Sequence, residues 1–239
     1  HKAIRRQRQM CIRDRDEAVP DHATLWRFRD ALGRAGLAEQ VFGEVNRQLA
    51  AKSMIVKQGT LIDATLVAAQ SAPPVSDASR PARDPEAAWT KREGSSKAHF
   101  GYKAHLAVDQ GSLLIRRALL TPANVNDTEP ADALIQGDEK AVYGDKAYSS
   151  HARSARLKAA GIKDRIMRRA NKHHALGSRQ RQRNRLIAKV RASVETVFAV
   201  FKRSYGYRRA RYFGLARNQT QLALLCIAFN VRRALALTG

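Results

Sequence analysis

Apolar positions recur along the chain with two periods, and each change of period marks an element. Residues 22–32 place Leu25, Phe28, Arg29 and Leu32 on one side of a helix, and Asp21 suits its N-cap. A turn at Gly33 to Gly36 separates it from a second helix, 37–51, with Val41, Val45 and Leu49 at i, i+4 spacing. Residues 57–68 are rich in β-branched side chains and predict a strand that holds Asp63. Residues 70–96 have no period and contain Pro73, Pro74, Pro81 and Pro85, which predicts a long loop. A hairpin follows, 99–109 and 113–121 around Gln110-Gly111-Ser112. A helix at 128–136, a short strand at 141–145, a helix at 150–160 stopped by Gly161 and a strand at 162–168 come next. Residues 171–183 are basic and poor in apolar side chains, so they are expected to be mobile without a ligand. One helix is predicted over 185–202, with Ile187, Val190, Val194, Val197 and Phe201 as its buried stripe. Tyr205-Gly206-Tyr207 ends it, an arginine-rich and aromatic link follows, and a last helix spans 218–237.

This order predicts an α/β fold, a mixed sheet with helices packed on it. A small helical segment (16–56) precedes the sheet domain (57–204), and a basic linker and helix (205–239) follow it. Residues 1–15 are charged and aperiodic; they are given no role, and a foreign origin is left open. Trp26 and Phe28 are expected to be packing residues. No apolar run approaches the ~20 residues of a membrane helix, and no signal-peptide pattern occurs. The expectation is a cytoplasmic protein. The two cysteines, Cys11 and Cys226, have no metal-like spacing and read as reduced thiols.

Charge changes the picture. The chain carries a net +23, and nearly all of it lies late. Residues 1–139 balance to +2, with 20 Lys and Arg against 18 Asp and Glu; residues 140–239 carry 24 against 3, a balance of +21. Such a half repels itself unless a polyanion is near, and nucleic acid is the natural partner because each phosphate contact releases counterions. The three acids in that half are Asp145, Asp164 and Glu195. Asp164 lies between Lys163 and Arg165 and reads as local charge balance. Asp145 and Glu195 lie in apolar-flanked segments, where a carboxylate needs a partner, and a metal ion would be one.

Asp63 on one strand, Asp145 at the end of another and Glu195 on a helix laid across the sheet suit phosphodiester chemistry. Two hard cations ~3.5–4 Å apart stabilise the attacking and leaving oxygens of an in-line displacement, and such cations want carboxylate oxygens. Arg191 and Lys202 lie four residues before and seven after Glu195, on the same helix face. The competing reading is a surface helix on which Arg191 simply pairs with Glu195.

The stretch Arg191-x3-Glu195-x6-Lys202 resembles the Tyr-x2-Arg-x3-Glu-x6-Lys signature of DDE-class insertion-sequence transposases, with Ala188 at the tyrosine position. Val142-Tyr-Gly-Asp145-Lys-Ala-Tyr148 resembles the second-aspartate motif of that class, and Ile62-Asp63-Ala-Thr65 its first. The likeness continues through Pro20 to Arg29, Asp84 to Trp89, His99 to His105, Thr121 to Asp127 and Arg208 to Gly214. It looks closest to the insertion sequence five group, with an insertion sequence four-like catalytic domain. The resemblance implies an RNase H-like fold and cleavage and strand transfer at element ends. It implies two Mg2+ (or Mn2+) ions held by Asp63, Asp145 and Glu195 once DNA is bound. It also implies double-stranded DNA partners, both insertion-sequence ends and target, and a homodimer on DNA. Lys103, Lys146, Arg191, Lys202, Arg208, Arg209 and Arg211 are assigned to DNA contact.

His99 and His105 read as ordinary hairpin histidines, and His173-His174 as part of a basic segment. Asp84 is a weaker acidic candidate than Asp63. Trp89, in the predicted loop, is expected to meet DNA or a partner subunit. Two rivals stand beside the transposase reading: a nuclease of the same fold without strand transfer, and a truncated or inactive transposase that only binds DNA.

Overall fold

In the computed structural model the described residues are 20–73, 82–91, 96–170 and 175–238. The sheet is built around β1 (Thr60–Ala68). β3 (Ala98–Asp109) pairs with it antiparallel along its whole length, from Thr60 opposite Asp109 to Ala68 opposite Gly101. β5 (Ala141–Gly144) pairs with its other edge in parallel, and β6 (Lys163–Ile166) extends that parallel half. The outer edge of β3 is shared: β2 (Ala88–Lys91) takes residues 98–101, and β4 (Ile115–Pro122) takes 102–108. The result is a six-stranded mixed sheet, antiparallel on one side of β1 and parallel on the other. With helices on both faces it is an α/β fold consistent with the RNase H-like architecture.

Alternation along β1 decides which helices cover which face. Leu61 and Val67 point to one layer, with Tyr102, Leu106 and Val108 of β3. That layer is closed by α6 (Val194–Arg203) through Val194, Val197, Phe198 and Phe201, and by α7 (Leu215–Thr238) through Leu222, Cys226 and Phe229. Ile62 points the other way, with Ala107 and Val142, under α3 (Ala131–Leu134) and α4 (His151–Ala159). Burial of a few such side chains, at roughly 1.5–3 kcal/mol each, holds each helix to its face.

The hairpin between β3 and β4 is knotted by Asp109. Its buried carboxylate accepts from the backbone N–H of Lys57 (2.8 Å) and Ser112 (3.0 Å) and from the Ser112 hydroxyl (2.8 Å). Gly101 lies where pairing passes from β2 to β4. A Cβ there would stand 2.2 Å from the Val67 carbonyl oxygen, so no side chain fits.

Several expectations are corrected. The predicted loop over 70–96 contains the edge strand β2, and Trp89 on it packs against Phe100 with ring centroids 5.3 Å apart. The helix expected at 128–136 is the single turn α3. The helix expected over 185–202 is two: α5 (Ser178–Arg191) begins inside the segment read as mobile, and α6 follows after a break at Ala192-Ser193. The last helix begins at Leu215. The two N-terminal helices are α1 (His22–Arg34) and α2 (Leu37–Ala51), near the predicted bounds. α1 buries none of its residues, and Trp26 (43 % exposed) and Phe28 (63 %) are not core. The expectation that no apolar run approaches membrane length fails for α7, the one helix among the described residues long and apolar enough to cross a membrane. It packs on β4 and buries Leu222, Ala223, Cys226 and Phe229, as a core helix does.

Candidate active site

The parallel pairing of β1 with β5 sets two acids side by side. Thr60 is in register with Val142 and Leu61 with Tyr143. Two residues further along each strand stand Asp63 and Asp145. Asp145 is still extended (φ −78°, ψ −179°), and its Oδ1 accepts from the Ala147 N–H at 2.8 Å, which starts the 3-10 turn Lys146–Tyr148. Asp63 shares a strand face with Leu61 and Val67, the face that α6 covers. Its Oδ1 accepts from the Ala64 N–H (2.9 Å) and its Oδ2 from Arg191 Nη1 (2.7 Å). Burial pushes the Asp63 carboxyl up to about 6, although Arg191 and the Ala64 N–H pull it down; repulsion from Asp145 and Asp127 adds to the rise.

Arg191 therefore pairs with Asp63 and not with Glu195. It is the last residue of α5, and its reach into the sheet depends on the break that follows. Glu195 lies in the first turn of α6, exposed, while Val194, Val197, Phe198 and Phe201 of that helix face the core. α6 packs against β1, so Glu195 rides on the helix laid over the strand that carries Asp63. Among the described residues, no group of three or more His, Cys, Asp or Glu side chains is close enough to hold a metal ion. The structure places Asp63 and Asp145 together and leaves Glu195 apart from them.

Three neighbours escaped the sequence reading as site residues. Asp127 repels the charge on Asp63 and is held by Lys103, whose Nζ donates to Asp127 Oδ1 and to the Val125 carbonyl, both at 2.8 Å. Lys103, expected to contact phosphate, thus has its ammonium directed inward. Tyr148 is buried, and its hydroxyl has no hydrogen-bond partner among the described residues. Burial, with Asp63, Asp127 and Asp145 around it, drives its acidity well below that of free tyrosine. Arg153, 2 % exposed, ties the two acidic loops together. It donates to the carbonyls of Tyr148 (2.5 Å) and Thr128 (2.7 Å) and to Asp132 (2.6 Å). The signal for Asp127 lay in its motif, Thr121 to Asp127; nothing local marked Arg153, whose partners are 5 to 25 residues away along the chain.

The other candidates lie on the sheet and its flanking segments. Lys146 is exposed directly after Asp145, and Lys202 lies on α6 beside the exposed Arg208. Arg208, Arg209 and Arg211 are exposed on a strap whose backbone pairs with the end of β1: Ala68 N–H donates to the Arg208 carbonyl (3.0 Å) and Ala210 N–H to that of Ala68 (2.7 Å). His105 is buried with its Nε2 2.9 Å from Thr121 Oγ1, and burial pulls its pKa down to about 4. Asp84 is fully buried. It accepts from the Tyr102 hydroxyl (2.7 Å to Oδ2) and the Gly214 N–H (3.1 Å), and so anchors the start of α7. His173-His174 and Cys11 lie outside the described residues.

An acidic pair formed by Asp63 within β1 and Asp145 just past β5, with Arg191 on Asp63 and the exposed Lys146 next to Asp145, suits a cation-assisted reaction of a polyanion better than acid–base chemistry on a small molecule. Residues 55–231 match the family model described as transposase DDE domain. The match spans all three acids. No solved structure matches the chain.

Proposed function

The chain belongs to the transposase DDE domain family, and from that premise we propose that it carries out metal-dependent cleavage and strand transfer at the ends of an insertion sequence of the insertion sequence five group. The observation that carries this reading is the Asp63–Asp145 pair: one register level on adjacent strands, with Asp63 raised to about 6 in its buried setting. Such a pair is stabilised by a cation, and the Arg191 guanidinium lies 2.7 Å from Asp63.

The donor set fits hard divalent ions. Asp63, Asp145 and Glu195 would hold two Mg2+ or Mn2+ ions, with Glu195 drawn in when DNA is bound. Bound there, the ions would supply charge stabilisation to the oxygens of the displacement. The chain's own residues do the rest. The Ala64 N–H fixes one oxygen of Asp63, and the Ala147 N–H fixes one oxygen of Asp145. Arg191, now on Asp63, would be available to a phosphate of the substrate once a metal ion takes its place there. Lys146, Lys202, Arg208, Arg209 and Arg211 steer the DNA backbone toward the pair. The partners are double-stranded DNA, as element ends and as target, and a second copy of the chain in a homodimer; the compartment is the cytoplasm.

One observation favours a second reading. The Arg191–Asp63 ion pair and the separate Glu195 are what a form that binds DNA without cutting it would have. The two separate in one experiment. Wild-type chain and Glu195→Gln are incubated with Mg2+ and a duplex bearing the element's terminal sequence. Transposase chemistry predicts cleavage by wild type, its loss by orders of magnitude in the variant, and undiminished DNA affinity. No cleavage by wild type, at intact affinity, supports the binding-only reading.

A further inference from the structure

Beside the carboxylate pair runs a groove of about 470 Å³ with an apolar floor and an arginine rim. Tyr143, Leu186 and Val190 belong to the floor, and Arg165, Arg179 and Arg183 to the rim. Its place in the sheet follows from the register. Leu61 pairs with Tyr143, and Tyr143 with Arg165, so these three form a row across β1, β5 and β6. The row of Asp63 and Asp145 lies two residues further along the same strands and on the same face, about 7 Å away. The wall is α5. Arg179, Arg183, Leu186 and Val190 share its groove side, and the next residue, Arg191, reaches Asp63. The groove thus lies next to the site on the same face of the sheet.

The rim arginines differ in what they do. Arg183 is committed: its Nη1 donates to the Ile166 carbonyl (2.9 Å) and its Nη2 to that of Asp164 (2.7 Å), capping the open edge of β6. Arg165 and Arg179 are exposed, and among the described residues neither guanidinium has a hydrogen-bond or ion-pair partner. Leu186, which lines the same groove, remains 58 % exposed. Unpaired arginines around apolar surface suit a ligand with both anionic and apolar parts. A DNA strand is one, with phosphates for the guanidinium groups and deoxyribose faces for the floor.

We propose that this groove is the track on which a DNA strand leaves the carboxylate pair, with Arg165 and Arg179 binding phosphates next to the reacting one. The inference rests on the DNA-processing reading above and adds a binding surface to it. The strand comes either from the element end or from target DNA, and the test distinguishes them.

The full chain, without divalent metal, is titrated against two labelled duplexes, one with the element's terminal sequence and one of unrelated sequence, over a range of salt. Arg165→Ala with Arg179→Ala is compared with Lys140→Ala with Lys158→Ala, which removes the same charge from exposed positions outside the groove. Both pairs are exposed, so melting temperatures should match. The groove variant is expected to lose at least tenfold in affinity and to flatten the salt dependence by about 2 in log–log slope, near 0.9 for each phosphate contact. Selective loss on one duplex identifies the source of the strand; equal loss on both identifies a backbone contact common to them. A groove variant no weaker than the lysine variant on either duplex overturns the proposal and leaves the function standing. Wild-type chain that binds neither duplex overturns both.

Discussion

Arg191 Nη1 stands 2.7 Å from Asp63 Oδ2, joining the last residue of α5 to the middle of β1 across 128 positions of sequence. With side chains 20 % and 17 % exposed, the pair is shielded enough for the contact to count. The arginine holds the first acid of the site in the metal-free protein. Under the proposed function it would compete with the cation or phosphate bound there.

Removing that guanidinium should move Asp63 further from the ordinary carboxylate range. The folded value, about 6, already lies above the reference 3.8. Such a group costs stability once it ionises, so metal-free stability is expected to fall as pH rises from about 4 to about 6. In Arg191→Ala the fall extends to higher pH, and stability at pH 7 drops by about 1–3 kcal/mol. Carboxyl NMR titration of Asp63 checks the midpoint; an unchanged or lower midpoint refutes this account of the pair.

Arg153 should matter out of proportion to its distance from the reacting atoms. It is buried, and its fork holds Tyr148, Thr128 and Asp132 together. Arg153→Ala leaves the Tyr148 and Thr128 carbonyls without their donor and Asp132 with Arg156 alone, and is expected to cost about 3–5 kcal/mol. Arg153→Lys should recover less than half, because a single ammonium cannot span the three partners. Equilibrium unfolding in urea measures both, and full recovery by lysine contradicts the bridging role.

Much of this architecture was legible from periodicity. β1, the β3–β4 hairpin, β5 and α4 stand close to the predicted bounds because each changes period at a turn residue. The break between α5 and α6 was not, since the apolar stripe from Ile187 to Phe201 runs straight through it. Locally the hydrogen bonding tightens there, with Glu195 N–H donating to the Ala192 carbonyl and the Ser193 hydroxyl to that of Val190 (2.9 Å). Ser193 competes with the helix backbone, which a hydrophobic pattern does not register. β2 was hidden because a four-residue edge strand in a proline-rich stretch has almost no period of its own. The motifs singled out Asp63, Asp145, Glu195 and Arg191 as candidates, and the structure joins Arg191 to Asp63. The Arg191–Asp63 and Lys103–Asp127 pairs were out of reach, because both depend on which strands lie side by side.

His105 gives the protein an acid-sensitive core. Its folded pKa, about 4, lies below the reference 6.5, so the unfolded chain takes up the proton first. Stability from the neutral ring is full above about 6.5 and is lost as pH falls toward about 4, by on the order of 3 kcal/mol. His105→Gln should show a shallower loss over that interval in thermal unfolding; equal slopes would falsify the assignment to His105.

Asp84 is expected to be structural. Asp84→Ala removes the acceptor for the Tyr102 hydroxyl and the Gly214 N–H and should cost about 1–3 kcal/mol. Once the variant is folded, its divalent-cation affinity should equal that of wild type by calorimetry. A tenfold weaker affinity would move Asp84 into the metal site.

The central claim is that Asp63, Asp145 and Glu195 together hold the cations of the reaction. The most direct measurement is Mn2+ binding to the full chain with DNA present, followed by electron paramagnetic resonance, for wild type, Asp63→Asn, Asp145→Asn and Glu195→Gln. The account predicts saturable binding by wild type and at least tenfold weaker binding, about 1.4 kcal/mol, in each variant at unchanged DNA affinity. Binding by Glu195→Gln as tight as by wild type would contradict it.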